Sequence, residues 1–114
     1  MSETALVKSI LEVLAWKYKG RAKFWRNNTG ATKTATGGFV RYGAVGSSDI
    51  LGVLSPSGRL VCLEVKTTKG KTSPAQEAWL EETKALGAVA AVVRSVDDAL
   101  ATLESVEGAK TNEG

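Results

Sequence analysis

The stretch Asp49–Lys66, which reads DILGVLSPSGRLVCLEVK, contains two apolar runs of strand length separated by a turn sequence. The runs are Asp49–Leu54 and Arg59–Lys66, and Ser55–Gly58 lies between them. Proline suits the second position of a β-turn and glycine suits the fourth. The stretch therefore predicts a β-hairpin.

A symmetric turn at Ser55–Gly58 determines which residues face each other across this hairpin. Leu54 then faces Arg59, and equal steps along both strands bring Asp49 opposite Glu64. Directly opposed side chains have Cβ atoms about 4.5–5.5 Å apart, and like charges at that spacing destabilise a sheet. Burial among apolar neighbours increases the repulsion. A divalent cation between the carboxylates would relieve it, and the Val65 backbone carbonyl could supply another oxygen ligand.

Lys66 follows Glu64 by two positions, so both side chains point to the same face of the predicted strand. A lysine beside two carboxylates could hold a water nucleophile or stabilise the charge that develops on a phosphate. A metal ion there could activate water and polarise the phosphate. Asp49, Glu64 and Lys66 thus form a hypothetical site for phosphodiester hydrolysis. The alternative is a Glu64–Lys66 salt bridge, with Asp49 as a turn residue at the start of a strand.

The composition narrows the chemistry that the chain can perform. Its 114 residues predict one domain, and they include no histidine. The absence of histidine excludes Ser-His-Asp and Cys-His catalysis. With Cys62 as the single cysteine, the common zinc sites are also excluded, which leaves oxygen ligands and favours Mg²⁺ or Mn²⁺.

Cysteine usage and hydropathy bear on where the protein acts. Cys62 cannot form an intramolecular disulfide, which fits a reducing cytoplasm. No apolar run approaches 18 residues and no signal-peptide pattern occurs, so neither a membrane span nor secretion is expected.

The charge is distributed unevenly along the chain. Residues 1–71 carry 12 basic and four acidic side chains, whereas residues 72–114 carry three basic and eight acidic ones. A basic half is typical of proteins that bind nucleic acid, although an uneven solvated surface would have the same composition.

One helix and two further strands are predicted before the hairpin. Residues 3–19 place apolar side chains three and four positions apart, as in a helix with one buried face, and Gly20 ends it. Residues 22–27 contain aromatic side chains and predict a strand, and residues 39–42 predict a short one. Residues 28–38 are rich in Asn, Gly and Thr, which predicts a loop.

A helix over residues 72–86 follows the hairpin. Ser73 suits the N-cap, Pro74 the first helical position and Gln76 the third position of a capping box, and Gly87 provides the stop. Its predicted inner stripe consists of Trp79, Leu80, Thr83 and Leu86.

The last elements are a strand at Ala88–Val93, predicted to be buried on both faces, and a helix at Val96–Val106. The order of elements predicts an α/β fold, a mixed sheet flanked by helices. Residues 1–107 form the expected single domain, and residues 108–114 form an expected flexible polar tail.

Three short motifs follow one another along the chain: GSSD at 46–49, EVK at 64–66 and SPAQ at 73–76. In this order and spacing they resemble the PD-(D/E)xK nuclease superfamily, and within it the virus-type replication-repair nuclease (VRR-NUC) domain. The resemblance covers residues 3–103. It is supported by Arg26–Asn27, by the glycine-rich stretch 37–46 and by the segment Arg94–Asp98. Ser48 stands where a proline often precedes the aspartate, a change that removes no ligand.

The resemblance implies a restriction-endonuclease-like core of the order αβββαβα. It implies that Asp49 and Glu64 bind the metal, that Lys66 is catalytic and that Gln76 points into the site. Glu3 resembles an additional acidic residue near the metal. Two alternatives stay open: Gln76 could serve only its capping box, and Glu3 could be a surface glutamate that favours the helix dipole.

The resemblance also implies a partner and a setting. It suggests a stand-alone viral or prophage nuclease, in the cytoplasm of a bacterial host, that forms homodimers and cuts branched DNA such as Holliday junctions. Candidates for contacts with the DNA are Lys69, Lys71, Arg26, Asn27, Lys33 and Arg41. No nucleotide cofactor is expected, because Gly70-Lys71-Thr72 lacks the first glycine of a P-loop.

Other functions fit the same residues. The nuclease could cut flaps, nick duplexes or act as a restriction enzyme, and it could act on RNA. The chain could also be a non-catalytic nucleic-acid-binding module with the same fold.

Overall fold

The computed structural model describes the backbone of residues 1–113 and the side chains of residues 1–106. Within that part of the chain, three helices and six strands alternate in a mixed α/β arrangement. In chain order they are α1 (Glu3–Lys17), β1 (Ala22–Arg26), β2 (Gly30–Lys33), β3 (Phe39–Tyr42), β4 (Ile50–Leu54), β5 (Arg59–Val65), α2 (Pro74–Ala85), β6 (Val89–Val93) and α3 (Val96–Glu113).

The central sheet has the strand order β1-β4-β5-β6. Strands β1, β4 and β5 are antiparallel, and β6 pairs parallel to β5. In the β4–β5 hairpin, Leu54 pairs with Arg59 and Ile50 with Leu63. This is the predicted register, and one further step brings Asp49 level with Glu64. The mixed sheet flanked by helices confirms the predicted fold class.

The alternation of side chains along β5 divides its residues between two environments. Val61, Leu63 and Val65 are fully buried in a core shared with residues of α1 and α3. Glu64 lies between them in sequence and therefore points to the opposite face of the sheet. Helix α2 packs against β5 and β6 on that face. Alternation thus places the glutamate under α2 rather than in the apolar core.

The predicted loop at residues 28–38 is wrong for residues 30–33, which form a strand, whereas residues 34–38 form a turn. β2 and β3 form a separate antiparallel ribbon in which Gly30 pairs with Tyr42 and Lys33 with Phe39. All eight residues of these strands are exposed. Because neither face is buried, the ribbon needs no apolar alternation, and the sequence pattern gave no sign of β2.

Two details of the second half also differ from expectation. β6 is an edge strand with Val92 37% exposed, so it is not buried on both faces. Leu86 is 88% exposed because it is the C-cap of α2, where the chain turns at Gly87 away from the helix. The predicted inner stripe of α2 therefore ends at Thr83, which is buried.

Helix α3 extends to Glu113, beyond the predicted end at Val106. The side chains of residues 107–114 lie outside the described residues, so the flexibility of the polar tail stays a prediction. Within the described part of the chain, no helix is both long enough and apolar enough to span a membrane.

Gly52 offers a test of the packing between β1 and β4. It pairs with Phe24 across the strands, and a Cβ built on Gly52 would collide with the Phe24 ring. We expect Gly52→Val to lower the free energy of unfolding by about 1–3 kcal/mol, as overpacking does. Urea denaturation measures the change. Val53→Ala at the exposed neighbouring position is the control, and an equal loss in both variants would contradict the packing argument.

Candidate active site

Asp49 is held between two strands immediately before β4. Its Oδ2 accepts a hydrogen bond of 2.8 Å from the Val65 backbone N–H, and its backbone carbonyl accepts one of 2.8 Å from the Asn27 N–H. The backbone is thus tied towards β1 and the carboxylate towards β5. These two bonds direct the carboxylate to the end of the hairpin that carries Glu64.

Glu64 is a buried carboxylate, only 1% exposed. Its Oε1 accepts a hydrogen bond of 3.1 Å from Gln76 Nε2 and lies 3.9 Å from Lys66 Nζ. Its Oε2 is buried without a hydrogen-bond partner. A buried charged oxygen with no donor is unfavourable, so this atom needs either a proton or a cation.

The pKa of Glu64 is raised from 4.5 to about 8. Burial is the largest cause, followed by the nearby Asp49, through its polar interaction and its negative charge. Lys66 opposes the shift, and Glu3 adds a small contribution in the raising direction. This pKa favours the protonated form of Glu64 near neutral pH when no cation is present.

Lys66 lies just beyond the end of β5 and is 9% exposed. Its backbone N–H donates to the Val93 carbonyl at 3.1 Å, which continues the pairing with β6. A Cβ built on Gly70 would lie 3.4 Å from Lys66 Cδ and 3.6 Å from Glu3 Oε2. The first turn of α1 therefore brings Glu3 to Gly70, which also lies against the stem of Lys66, at the border of the site.

Gln76 serves the capping box and the site at the same time. Its Oε1 accepts from the Ser73 N–H at 2.8 Å, and the Ser73 hydroxyl accepts from the Gln76 N–H at 3.2 Å. Its Nε2 donates to Glu64 Oε1. The amide oxygen of Gln76 serves the capping box and its amide nitrogen binds Glu64, so one side chain fills both roles that the sequence analysis gave as alternatives.

The loop that leads into Asp49 is held by Asn27, the residue that follows β1. Asn27 Nδ2 donates to Ser47 Oγ at 2.7 Å and to the Ser48 carbonyl at 3.0 Å. The amide nitrogen of Asn27 thus has a structural role, and its contact with DNA stays a prediction. Sequence reasoning missed Ser47, since nothing local shows that a side chain 20 positions away binds its hydroxyl.

Gly46 joins the same loop to helix α2. It has a φ of +78°, and a Cβ there would collide with the backbone of Ala75 in the first turn of α2. Only glycine combines this conformation with so close an approach. The loop before Asp49 is therefore in contact with the helical turn that carries Gln76.

Arg94 is a second positioning residue that the sequence did not identify. Its guanidinium donates to the carbonyls of Thr67 at 2.6 Å and Gly70 at 2.8 Å. These carbonyls belong to the segment that leaves Lys66, so Arg94 fixes the exit of the chain from the site. A basic residue directly after a buried strand was the available signal, but its partners are 24 and 27 positions away.

The oxygen atoms of the site fit a divalent cation. Asp49 and Glu64 supply carboxylates, and Glu64 Oε2 lacks a partner. The Val65 N–H points to Asp49, and the carbonyl of a strand residue points to the same side as its N–H. Within the described residues, no group of three or more His, Cys, Asp or Glu side chains is placed to hold a metal. Mg²⁺ commonly binds through one or two carboxylates with water in its other positions, so two suffice.

The other residues proposed to contact DNA are spread around this site. Lys69 and Lys71 lie in the segment that follows Lys66, and Arg26 ends β1. Lys33 and Arg41 lie on β2 and β3. All five are exposed. Exposure permits contact with phosphates, and the contact itself stays a prediction.

The family model of the VRR-NUC domain matches residues 8–97, which include Asp49, Glu64, Lys66 and Gln76. The chain belongs to the VRR-NUC family. It is therefore a nuclease-type domain, as the resemblance of its motifs indicated. Glu3 precedes the matched residues, so its place near Gly70 and Glu64 rests on the structure alone. No curated protein matches the chain.

The raised pKa of Glu64 predicts how the stability of the metal-free VRR-NUC domain varies with pH. The folded protein binds this proton up to about pH 8, whereas the unfolded chain releases it near pH 4.5. The contribution of Glu64 to stability is therefore greatest below pH 4.5 and falls as the pH rises to 8, with a slope of at most about 1.4 kcal/mol per pH unit. Thermal melts in EDTA from pH 5 to 8 measure the slope.

Glu64→Gln is the matched control because it keeps the shape of the side chain without a titrating group. We expect its melting temperature to lose this part of the pH dependence. Asp49→Asn, which keeps an oxygen for the Val65 N–H, should flatten the slope and raise stability at pH 8. An unchanged slope in Glu64→Gln would show that Glu64 titrates normally.

Proposed function

We propose that the protein is a Mg²⁺- or Mn²⁺-dependent endodeoxyribonuclease that hydrolyses phosphodiester bonds in branched DNA. The observation that carries the proposal is the half-buried Asp49 beside the fully buried Glu64, with Lys66 Nζ 3.9 Å from Glu64 Oε1 and Glu64 Oε2 buried without a partner. A structural salt bridge would need one carboxylate. A second carboxylate beside a buried one is unfavourable without a cation, so the presence of both supports a metal site.

The residues have distinct roles in this proposal. Asp49, Glu64 and the Val65 carbonyl hold the metal, and Glu3 lies near enough to contribute through its charge. A bound Mg²⁺ supplies activation of water and polarisation of the scissile phosphate. Lys66 orients the attacking water or stabilises negative charge that develops on the phosphate. Gln76 holds Glu64 Oε1, which leaves Oε2 for the metal.

The substrate is supported by charge and by the family. DNA is the substrate class of a nuclease domain of this type. The segment between Glu12 and Asp49 contains seven basic residues and no acidic one, which favours a polyanion. The preference for four-way junctions, the homodimer and a cytoplasmic viral or prophage setting follow from the resemblance. A two-fold dimer would present two sites to a two-fold junction.

Cleavage assays on matched substrates test the proposal. We expect the wild type to cut a four-way junction in Mg²⁺ or Mn²⁺ and to be inactive in EDTA. Lys66→Ala should lower the cleavage rate by about 10²–10³-fold, the range for loss of one charge-stabilising group. Lys84→Ala removes an exposed lysine in the last turn of α2 and should leave the rate unchanged.

A flap, a nicked duplex, a linear duplex and a single-stranded RNA complete the substrate panel. Preferential cutting of one of them would replace the junction assignment while retaining the nuclease. No cleavage with any metal would contradict the nuclease proposal. Activity that survives Glu64→Ala unchanged would place the chemistry elsewhere and favour a non-catalytic binding module.

Gln76 allows a separate test of positioning. Ser73→Ala removes the cap hydroxyl but keeps the bond from Gln76 to Glu64, and should cost about 1 kcal/mol of stability. Gln76→Glu keeps an acceptor for the Ser73 N–H but removes the donor to Glu64. We expect Gln76→Glu to lower the cleavage rate at saturating substrate much more than Ser73→Ala does. Equal rates in variants of equal stability would limit Gln76 to capping.

A further inference from the structure

The ribbon of β2, β3 and the turn at residues 34–38, here called the arm, has no part in the site described above. Its chain leaves the site at Asn27 and returns at Ser47, and all eight strand residues are exposed. We infer that the arm is a DNA-gripping element that binds the substrate at the branch point. This inference rests on the proposed function, since it assumes that branched DNA is the ligand.

The register of the arm separates its side chains into two different faces. Residues paired across the strands share a face, so Ala31, Lys33, Phe39 and Arg41 lie on one side. Thr32, Val40 and Tyr42 lie on the other, where the Tyr42 ring covers Gly30: a Cβ there would be 2.7 Å from Tyr42 Oη. One face therefore carries two cations and Phe39, and the other is uncharged.

The cationic face has the charge that a phosphate backbone requires. No acidic residue occurs between Glu12 and Asp49, so the arm contains no carboxylate of its own. Among the residues that the structure describes, neither Lys33 nor Arg41 has an ion-pair partner. Both cations are thus available to a polyanion. Since phosphate contacts dominate affinity for DNA, this face favours binding of the arm to a nucleic acid.

Phe39 gives the arm a means of recognising a branch. It is 69% exposed and pairs with Lys33 next to the turn, at the far end of the arm. A two-stranded ribbon fits the major groove of a duplex. Aromatic rings stack on unpaired bases. A base at a junction is already partly unstacked, so Phe39 would contact it more easily than a base in a continuous duplex.

The base of the arm is fixed to the active site. Gly43 has a φ of +76°, and a Cβ there would lie 2.7 Å from the Asn28 carbonyl, so the two strands are close together where the arm begins. Asn27, the residue before Asn28, binds Ser47 and the backbone of Ser48 and Asp49. DNA held by the arm would therefore be held at a fixed position relative to Asp49.

Binding measurements in EDTA test the arm without cleavage. The ligands are a fluorescent four-way junction and a linear duplex of the same length, each at several salt concentrations. We expect Lys33→Ala/Arg41→Ala to weaken binding to both by about tenfold or more and to reduce the slope of log K against log salt by up to about two. Phe39→Ala should weaken junction binding about tenfold and leave duplex binding nearly unchanged.

Three controls complete the design. Val40→Thr changes the opposite face of the arm, and Lys84→Ala removes a cation at the far end of α2; neither should alter binding. Thermal melts confirm that each variant folds, and sedimentation velocity gives its oligomeric state. Unchanged binding in the double variant and in Phe39→Ala would overturn the inference. A fall in binding that accompanies dissociation of a dimer would also overturn it and identify the arm as a contact between two copies of the chain.

The outcomes separate this inference from the proposed function. A wild type that cuts junctions while the arm variants bind and cut normally rejects the arm alone. A wild type that never cuts, but binds junctions through Lys33, Arg41 and Phe39, rejects the nuclease and supports the arm. A wild type that does not bind DNA rejects both.

Discussion

The fold depends on the register of the β4–β5 hairpin. The same register places the carboxylates of Asp49 and Glu64 close together at the open end of the hairpin, which is electrostatically unfavourable. The turn at Ser55–Gly58 sets the register, and the buried apolar residues of β4 and β5 prevent a slip, because a shift by one residue would turn the core residues outward. The register that buries Leu63 and Val65 in the core therefore also opposes the two acids. No one-residue shift of this hairpin keeps Leu63 and Val65 buried and also separates Asp49 from Glu64.

The surroundings of the pair compensate for only part of its cost. The Val65 N–H satisfies Asp49, and Gln76 and Lys66 approach one oxygen of Glu64. The second oxygen has no donor, and the pKa of Glu64 rises to about 8 as a result of burial and of Asp49. In the metal-free protein the raised pKa favours a protonated Glu64 near neutral pH. Metal binding would thus release a proton and gain in strength as the pH rises.

How much the sequence could predict depended on whether a feature was local. The hairpin register and the capping box of Gln76 follow from residues a few positions apart, so both were predicted in advance. The bonds from Asn27 to Ser47 and from Arg94 to Thr67 join distant positions and follow only from the sheet topology. The prediction missed β2 for a different reason. Because β2 is exposed on both faces, burial leaves no periodic pattern in its residues.

The two carboxylates are positioned by one connected set of contacts, although they lie on different segments. Asn27 holds the loop that precedes Asp49, and Gly46 in that loop packs against Ala75 at the start of α2. The same helical turn carries Gln76, whose amide holds Glu64. Because Gly46 leaves no space between loop and helix, a displacement of the loop must be shared by the turn that holds Glu64. The arm follows Asn27 in the chain and precedes this loop, so both of its ends are joined to the contacts that hold the two acids.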